Sequence, residues 1–305
     1  VGVCGSDVHS YLEGGTTGRT NVNQLVLGHE VAGVITAESA EQAALPVGTL
    51  VAVDPAKPCG MCEWCERGHT NLCPTVRFLG YGSQNGGMAE YVVVPSSALH
   101  AVPEGFDAAT TVMLEPLGVA IHALDLARLR LMETVAVLGC GPIGLLLVQL
   151  ARLSGAQSVY AVDPVGYRAK LAATLGADRH FASFGEIADA TDGRGVDVVL
   201  EATDSEHGLE HAARCARIGG RVVIVGIPHG NRYALPAADA RRRGLSVKFS
   251  RRMPEIYPRA IALAASGRIT LAPLASHSFG LEDVDKAFEL HVARNDGVIK
   301  AILYP

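Results

Sequence analysis

The run Thr134-Val-Ala-Val-Leu-Gly-Cys-Gly-Pro-Ile-Gly144 decides the fold class of the chain. An apolar, β-branched strand comes first, and an apolar helix over Gly144–Ser154 follows the turn. The glycines permit a tight turn and let backbone N–H groups approach a pyrophosphate at the helix N-terminus. The sequence therefore predicts a dinucleotide site formed by Gly139, Gly141, Pro142, Ile143 and Gly144. A glycine turn in a nucleotide-free α/β domain is the alternative interpretation.

An acidic residue at the end of the next strand indicates which dinucleotide would bind. Asp163 ends the predicted strand Ser158–Asp163, nineteen residues after Gly144. A carboxylate there accepts hydrogen bonds from the adenosine ribose hydroxyls and repels a 2′-phosphate. The sequence therefore favours NAD over NADP, although Arg168 could soften that preference.

Strands and helices alternate on both sides of this turn, which indicates a parallel sheet with crossover helices. Strands are predicted at Thr134–Leu138, Ser158–Asp163, Val196–Glu201 and Arg221–Gly226, and helices at Val119–Leu131, Gly144–Ser154, Tyr167–Leu175 and Gly208–Ile218. We place this α/β domain at residues 117–252. Arg221–Gly226 and the following Ile227–Tyr233 are expected to form an edge strand and loop of this sheet.

The two ends of the chain have a different composition and a different pattern of predicted secondary structure. Residues 1–116 are rich in glycine, with short strands predicted at Val31–Ile35, Leu50–Val53 and Glu90–Val94. After residue 252 the pattern is mixed again, with helices predicted at Tyr257–Ser266 and Glu282–Val292. These segments indicate a second domain that is mostly β-structure.

Four cysteines lie within fifteen positions, at Cys59, Cys62, Cys65 and Cys73. Thiolates at this spacing, in a loop with several glycines and a proline, can surround one tetrahedral zinc ion. Four protein ligands close the coordination sphere, so the predicted site is structural. Unrelated buried thiols are the alternative. A nucleic-acid zinc ribbon would use similar ligands, but its surroundings would be basic, and this loop carries Glu63 and Glu66.

A second group of metal-binding side chains is divided between two segments. Cys4 precedes Gly-Ser-Asp-Val-His9, and His29 lies in Gly28-His29-Glu30. Cys4 and His29 are suitable zinc ligands, and Glu30 or Glu115 could complete a site with one open position, as catalytic zinc requires. Taken alone, Cys4 could be a buried small side chain, His29 a core histidine and Glu115 an acid favoured by a helix dipole.

Composition limits the classes of protein to which the chain can belong. The chain has 305 residues, of which 49% are hydrophobic and 19% charged, and this is typical of a folded protein of two domains. A net charge of −5 disfavours nucleic-acid or anionic-membrane partners. No apolar run has the length of a membrane span, and no signal peptide is evident. Clustered cysteines without secretory signals favour metal thiolates over disulfides, so we expect a cytoplasmic location.

Together these residues resemble the zinc-containing medium-chain alcohol dehydrogenases, and within them the sorbitol, xylitol and L-iditol branch of polyol dehydrogenases. The resemblance extends over nearly the whole chain. It rests on the segments Cys4–His9, Gly28–Glu30, the four-cysteine loop, Gly86–Tyr91, Glu115–Leu117, the glycine turn and Tyr257–Ile261.

This resemblance implies a GroES-like catalytic domain over residues 1–116, completed by residues 253–305, with a Rossmann domain over 117–252 inserted between them. The opening strands of the family's catalytic domain have no counterpart before Val1, so that domain is expected to be N-terminally truncated. The family also implies two zinc ions per chain, one catalytic and one structural. A homodimer or homotetramer is expected.

The family assigns roles to individual residues. Cys4, His29 and Glu115 would bind the catalytic zinc, with Glu30 bound directly or through water, and Asp7 would orient His29. Ser6, the nicotinamide ribose and His9 would carry the proton of the substrate alcohol to solvent. Arg252 matches an arginine that reaches the active site in the polyol branch, and we group it with the cofactor-binding residues. The reaction implied is hydride transfer between a secondary alcohol and NAD.

Several alternatives stay open. Dehydrogenases of 2,3-butanediol, threonine, or a cyclitol or amino-cyclitol share much of this pattern, and Glu115 disfavours only the threonine enzymes. Ser10 follows His9 where an aromatic side chain often lines the polyol pocket, which leaves the substrate open. A non-catalytic zinc-binding scaffold is the alternative from another class, and the intact set of predicted site residues argues against it.

Overall fold

The computed structural model describes residues 1–14, 25–37 and 45–305, and the following account concerns those residues. They form two compact units. One consists of Val1–Gly118 together with Pro254–Pro305, and the other of Val119–Met253. We call them unit 1 and unit 2.

Unit 1 begins with a helix and short strands. The elements in chain order are α1 (Gly5–Glu13), β1 (Val31–Val34), β2 (Leu50–Val53), β3 (Ala56–Lys57), α2 (Glu63–Glu66), β4 (Arg77–Phe78), β5 (Leu99–Ala101), α3 (Ala108–Val112) and α4 (Leu114–Ala127), the last of which continues into unit 2.

Unit 2 alternates strands and helices, and the chain then returns to unit 1. In unit 2 lie β6 (Thr134–Leu138), α5 (Pro142–Leu153), β7 (Ser158–Val162), α6 (Gly166–Thr174), β8 (Arg179–Phe181), α7 (Glu186–Ala190), β9 (Val196–Glu201), α8 (Gly208–Cys215), β10 (Ala216–Ile224), α9 (Ala237–Arg243) and β11 (Ser246–Phe249). Unit 1 is completed by α10 (Tyr257–Ala265), β12 (Ala275–Gly280), α11 (Val284–Ala293) and β13 (Lys300–Tyr304).

The sheet of unit 2 is a doubly wound parallel sheet. Its six strands run in the order β11-β10-β9-β6-β7-β8, and all the pairings are parallel. Because helices cover both faces of such a sheet, its central strands are apolar and buried along their length. Every residue of β9 and four of the five in β6 are buried. The predicted α/β fold is confirmed, and the reversal of strand order lies between β6 and β9.

Small antiparallel and parallel ladders form unit 1. Strand β2 pairs antiparallel with β1 and β5, β3 pairs with β4, and β12 runs parallel to β13. The first three residues lie between two of these ladders, since Gly2 N–H donates to Glu30 O at 2.9 Å and Val3 N–H to Ala301 O at 3.0 Å. This arrangement places Cys4 beside His29 and Glu30.

Three of the predicted elements are corrected by the structure. Glu90–Val94 is not a strand: Tyr91 and Val93 are 74% and 98% exposed, and no strand in the described ranges pairs with the segment. Helix α8 ends at Cys215, because strand β10 already begins at Ala216 to pair with β9. The predicted edge strand Arg221–Gly226 is also wrong: residues 221–224 belong to β10, which pairs with β9 on one side and with β11 on the other, so β11 forms the edge.

One helical run has the length and apolar composition of a membrane span. It covers Ala108–Ala127, and 61% of its most apolar window is buried inside the protein. Core helices of folded proteins meet the same criterion, so the run is weak evidence of a membrane segment.

Candidate active site and zinc-binding loop

Cys4, His29 and Glu30 come together in unit 1. One ligand atom from each lies within 4.8 Å of the others. Cys4 is the residue before α1, while His29 and Glu30 immediately precede β1, so the Gly2–Glu30 backbone pairing brings the two segments into contact. His29 is 7% exposed and Glu30 is 1% exposed. A thiolate, an imidazole and a carboxylate are the donors that zinc prefers, and this set therefore fits the ion.

Asp7 ties two of these residues together. Its Oδ2 accepts a hydrogen bond from Cys4 N–H at 3.0 Å, and its Oδ1 lies 3.3 Å from His29 Nδ1. Burial disfavours the charged imidazole, but the neighbouring Asp7 and Cys4 raise the pKa of His29 well above its ordinary value. The same negative surroundings favour a cation at this position. The bond to Nδ1 leaves Nε2 as the nitrogen available to a metal.

Glu115 lies nearby but outside the group of three. It is in the first turn of α4 and is 6% exposed, rather than preceding the helix as the sequence suggested. Burial raises the pKa of Glu115 to about 7, against the opposing charges of His29 and Lys300. In this structure Glu30, not Glu115, is the carboxylate grouped with Cys4 and His29.

The two residues predicted to carry a proton both lie on α1. Ser6 is in the first turn of the helix and is half-buried. His9 is one turn further and only 7% exposed. The relay role assigned to Ser6 and His9 stays a prediction, and the structure places both residues on the same helix one turn apart.

The four-cysteine loop is compact. All four sulfur atoms lie within 4.8 Å of one another. Two of the distances, Cys62 Sγ to Cys65 Sγ at 3.5 Å and Cys59 Sγ to Cys65 Sγ at 4.0 Å, lie on either side of the separation of about 3.8 Å expected for thiolates around tetrahedral zinc. Backbone Cys59 N–H also donates to Cys73 Sγ at 3.4 Å. The loop fits a zinc ion.

The glycine turn between β6 and α5 is tightly packed at two of its glycines and open at the third. Gly139 has φ of 87°, and a Cβ there would lie 2.7 Å from Ala202 O. A Cβ at Gly144 would lie 1.8 Å from Gly139 O, so both positions require glycine. Gly141 precedes α5, and apart from its two chain neighbours no described residue comes within 4 Å of its ideal Cβ position. That open space in front of a helix N-terminus suits a pyrophosphate.

The predicted cofactor side chains also belong to unit 2. Asp163 is 5% exposed and accepts hydrogen bonds from Cys140 N–H at 2.7 Å and Val165 N–H at 2.8 Å. A carboxylate can accept about four hydrogen bonds, so these two leave acceptor capacity for a ribose. The Arg168 guanidinium lies 5.9 Å from the centre of the Tyr167 ring. Arg252 follows β11, is half-buried and has φ of 52°.

Sequence reasoning missed Lys300. This lysine is 2% exposed, and its Nζ lies 2.7 Å from Glu30 Oε1. Its signal was available, because Lys300 is the only charged residue in the apolar stretch Val298–Leu303. A charge within a buried strand needs a partner of opposite charge.

Two family models match this chain. The alcohol dehydrogenase GroES-like domain matches residues 1–104, and the zinc-binding dehydrogenase model matches residues 142–266. Sorbitol dehydrogenase of Bacillus subtilis (strain 168) is 32% identical over 310 residues, covering 100% of this chain and 88% of that protein. L-idonate 5-dehydrogenase of Vitis vinifera is 32% identical over 313 residues, covering 99% of this chain and 85% of that protein.

Solved structures agree with the family models. A zinc-binding dehydrogenase of Sinorhizobium meliloti 1021 bound to NADP has a TM-score of 0.88 and 30% identity, and covers 100% of this chain and 89% of its own. An alcohol dehydrogenase of Escherichia coli CFT073 complexed with NADH has a TM-score of 0.89 with the same identity and coverage. L-idonate 5-dehydrogenase of Escherichia coli K-12 has a TM-score of 0.91 and 28% identity, and covers 100% of this chain and 88% of its own.

These similarities define an oxidoreductase with a GroES-like and a Rossmann-like domain. The chain belongs to the zinc-containing medium-chain alcohol dehydrogenases, in the branch of the polyol dehydrogenases. It is therefore a zinc-dependent dehydrogenase that uses a nicotinamide cofactor.

Proposed function

We propose that this enzyme exchanges a hydride between a secondary alcohol of a small polyol and NAD at a zinc ion held by Cys4 and His29. The grouping of Cys4, His29 and Glu30 within 4.8 Å carries this proposal. A thiolate, an imidazole and a carboxylate can bind zinc and leave its fourth coordination position open for the substrate. Relatives named for sorbitol, L-idonate and D-xylulose support the substrate class.

The surrounding residues have separable tasks. When bound, zinc supplies a Lewis acid that lowers the pKa of an alcohol. Asp7 fixes the orientation of the His29 ring and of the Cys4 backbone. The Ser6 hydroxyl would accept the proton of the substrate alcohol while it gives up its own hydroxyl proton, which His9, one turn along α1, would pass on. Glu30 and Glu115 supply the remaining carboxylates, and Glu30 is the one that groups with Cys4 and His29 within 4.8 Å.

We propose NAD rather than NADP as the cofactor. The Asp163 carboxylate at the end of β7 would repel a 2′-phosphate, and Arg168 would weaken that repulsion. Relative kcat/KM with NAD and NADP tests this preference directly. We expect at least a tenfold preference for NAD, reduced in Asp163→Ser, whereas equal values with both cofactors would contradict the assignment.

Two zinc ions per chain are proposed, and the second is structural. Its ligands are Cys59, Cys62, Cys65 and Cys73, whose four sulfur atoms close a tetrahedral coordination sphere. Because no position is left for a substrate, this ion stabilises the loop and takes no part in the reaction.

A substrate panel tests the polyol assignment. Rates with sorbitol, xylitol, L-idonate, 2,3-butanediol, threonine and a cyclitol are compared at equal NAD. The highest kcat/KM is expected for a polyol or its acid. A preference for 2,3-butanediol would instead favour the alternative substrate. A solved 2R,3R-butanediol dehydrogenase of Bacillus subtilis is 29% identical to this chain, with a TM-score of 0.85. No turnover with any alcohol would support the non-catalytic scaffold.

We further propose a cytoplasmic enzyme that forms homodimers or homotetramers and has neither nucleic-acid nor membrane partners. Edge strand β11 would be the pairing surface, since Phe249 is 56% exposed there and packs against Tyr233, with ring centroids 5.2 Å apart. Sedimentation tests the assembly, and a monomer at micromolar concentration would contradict it.

A further inference from the structure

A buried lysine joins the segments that carry the three grouped ligands. Lys300 Nζ donates to Glu30 Oε1 at 2.7 Å and to Val3 O at 3.0 Å. Lys300 is 2% exposed, Glu30 1% and Val3 0%. An ammonium group that is buried to this extent is stable only with an opposite charge and hydrogen-bond acceptors, so both contacts restrict where its neighbours can lie.

These contacts cross a three-segment ladder. Val3 N–H donates to Ala301 O on β13, and on the other side Gly2 N–H donates to Glu30 O. The Lys300 side chain therefore extends from β13 across Val3 to Glu30. Cys4 directly follows Val3 and His29 directly precedes Glu30 in the sequence. The lysine thus restrains both backbone segments that carry the ligands.

The two oxygens of Glu30 are in different environments. Oε1 is held by Lys300, whereas Oε2 is buried without a hydrogen-bond partner among residues 1–14, 25–37 and 45–305. Gly2 permits this position, because a Cβ at that residue would lie 2.1 Å from Oε2. Glu30 therefore has one oxygen occupied by an ammonium group and one that still has acceptor capacity.

We infer that Lys300 is a positioning residue for the catalytic metal, which restrains Glu30 to offer a single carboxylate oxygen beside Cys4 and His29. This inference rests on the proposed function. The side-chain hydrogen bonds of Lys300 go to Glu30 and Val3, so its effect on metal binding should be confined to the Cys4–His29–Glu30 site. Lys300 should also act through Glu30, so the effects of substituting the two residues on metal binding should not be additive.

The test measures metal release and a spectrum rather than turnover. The full chain is prepared with zinc and, separately, with cobalt in the catalytic site. The variants are Lys300→Met, Glu30→Gln, the double variant and the exposed control Lys170→Met. The readouts are the rates at which a chelator removes each metal ion and the visible absorption bands of the cobalt form, which report ligand geometry.

In Lys300→Met the catalytic metal should leave about 10- to 100-fold faster, with shifted cobalt bands, while the four-cysteine metal leaves at its normal rate. In the Glu30→Gln background, the same substitution should change the release rate less than about twofold, because its effect passes through Glu30. Lys170→Met should match the unsubstituted chain. If Lys300→Met does not fold, Lys300→Gln, a neutral donor, replaces it.

Two results would overturn the inference while leaving the proposed function intact. One is a Lys300→Met chain with unchanged release rate and cobalt bands. The other is an effect of Lys300→Met that is equally large with and without the Glu30 carboxylate. An unsubstituted chain that holds no metal at Cys4 and His29 would instead overturn the proposed function, and with it this inference.

Discussion

Asp7 Oδ1 lies 3.3 Å from His29 Nδ1, and both side chains are buried. Asp7 also accepts the Cys4 backbone N–H at 3.0 Å through its second oxygen. One carboxylate therefore orients a proposed imidazole ligand and the helix start that carries a proposed thiolate ligand. The sequence spacing Cys4-x2-Asp7 achieves this, because Asp7 occupies the third position of α1 and can reach back to the residue that precedes the helix.

Asp7→Asn should weaken the binding of the catalytic metal ion without unfolding the chain. The amide keeps the shape of the carboxylate but loses its charge, so His29 is less firmly oriented and less strongly polarised. We expect metal affinity to fall about 10- to 100-fold. Competition with a chromogenic chelator measures this, with the exposed Asp296→Asn as control. Equal affinities in both variants would show that Asp7 has no such role.

Much of unit 2 was predictable from sequence because its signals are local. The strands Thr134–Leu138 and Val196–Glu201 were predicted with the bounds that the structure shows, since each is an apolar run ended by turn residues. The Gly139, Gly141 and Gly144 turn was predictable for the same reason. The edge of the sheet was not, because strand order depends on pairing between distant segments, and the amphipathic Ser246–Phe249 gave no strong signal of its own.

The candidate site was predictable in its residue types rather than in its arrangement. Cys4, His29 and the four-cysteine loop were found from ligand chemistry and spacing. The relative positions of Glu30 and Glu115 could not be predicted, because they depend on backbone hydrogen bonds that join Gly2 to Glu30 and Val3 to β13. Lys300 was missed because it is 270 residues from its partner Glu30, and no local pattern joins them.

Asp197 should make unit 2 sensitive to acid. Thr134 N–H and Thr134 Oγ1 donate to its Oδ2, and Arg194 and Arg217 contact its Oδ1. Burial acts in the opposite direction, but these donors hold the pKa of Asp197 well below its ordinary value of 3.8. A carboxyl with a lowered pKa stabilises the fold above its unfolded pKa, and that contribution is lost as the pH falls below about 4.

Asp197→Asn should therefore lower the free energy of unfolding by about 2 kcal/mol at pH 7 and by much less near pH 3. Urea denaturation at the two pH values measures the difference, with exposed Asp189→Asn as the reference. A loss of the same size at both pH values would mean that the charge of Asp197 contributes nothing.

Glu201 should have the opposite pH dependence. Burial raises its pKa from 4.5 to about 7, although Thr203 donates to it from backbone and hydroxyl. Because the folded state binds this proton more tightly than the unfolded state, stability is highest below pH 4.5 and decreases as the pH rises to about 7. The full decrease is at most about 3 kcal/mol.

Glu201→Gln removes this titration, so its stability relative to the unsubstituted chain should increase between pH 5 and pH 8. Thermal unfolding at several pH values would show the change, and the exposed Glu104→Gln should follow the unsubstituted chain throughout. A constant difference between pH 5 and pH 8 would rule out a raised pKa at Glu201.

The four-cysteine loop should affect stability rather than the reaction itself. Cys65→Ser removes one thiolate from a closed tetrahedral set, and we expect about one zinc ion per chain to be lost together with a lower unfolding temperature. Cys215→Ser is the matched control, because Cys215 is a buried thiol outside the loop. Full zinc retention in Cys65→Ser would exclude the structural site.

The central claim is a catalytic zinc at Cys4 and His29, and the most direct test is metal content measured beside NAD reduction. The unsubstituted chain and Cys4→Ser are compared on the same polyol panel. We predict about two zinc ions per chain, falling to about one in Cys4→Ser with loss of activity. About one zinc ion in both proteins, without turnover in either, would contradict the account and leave only the four-cysteine metal.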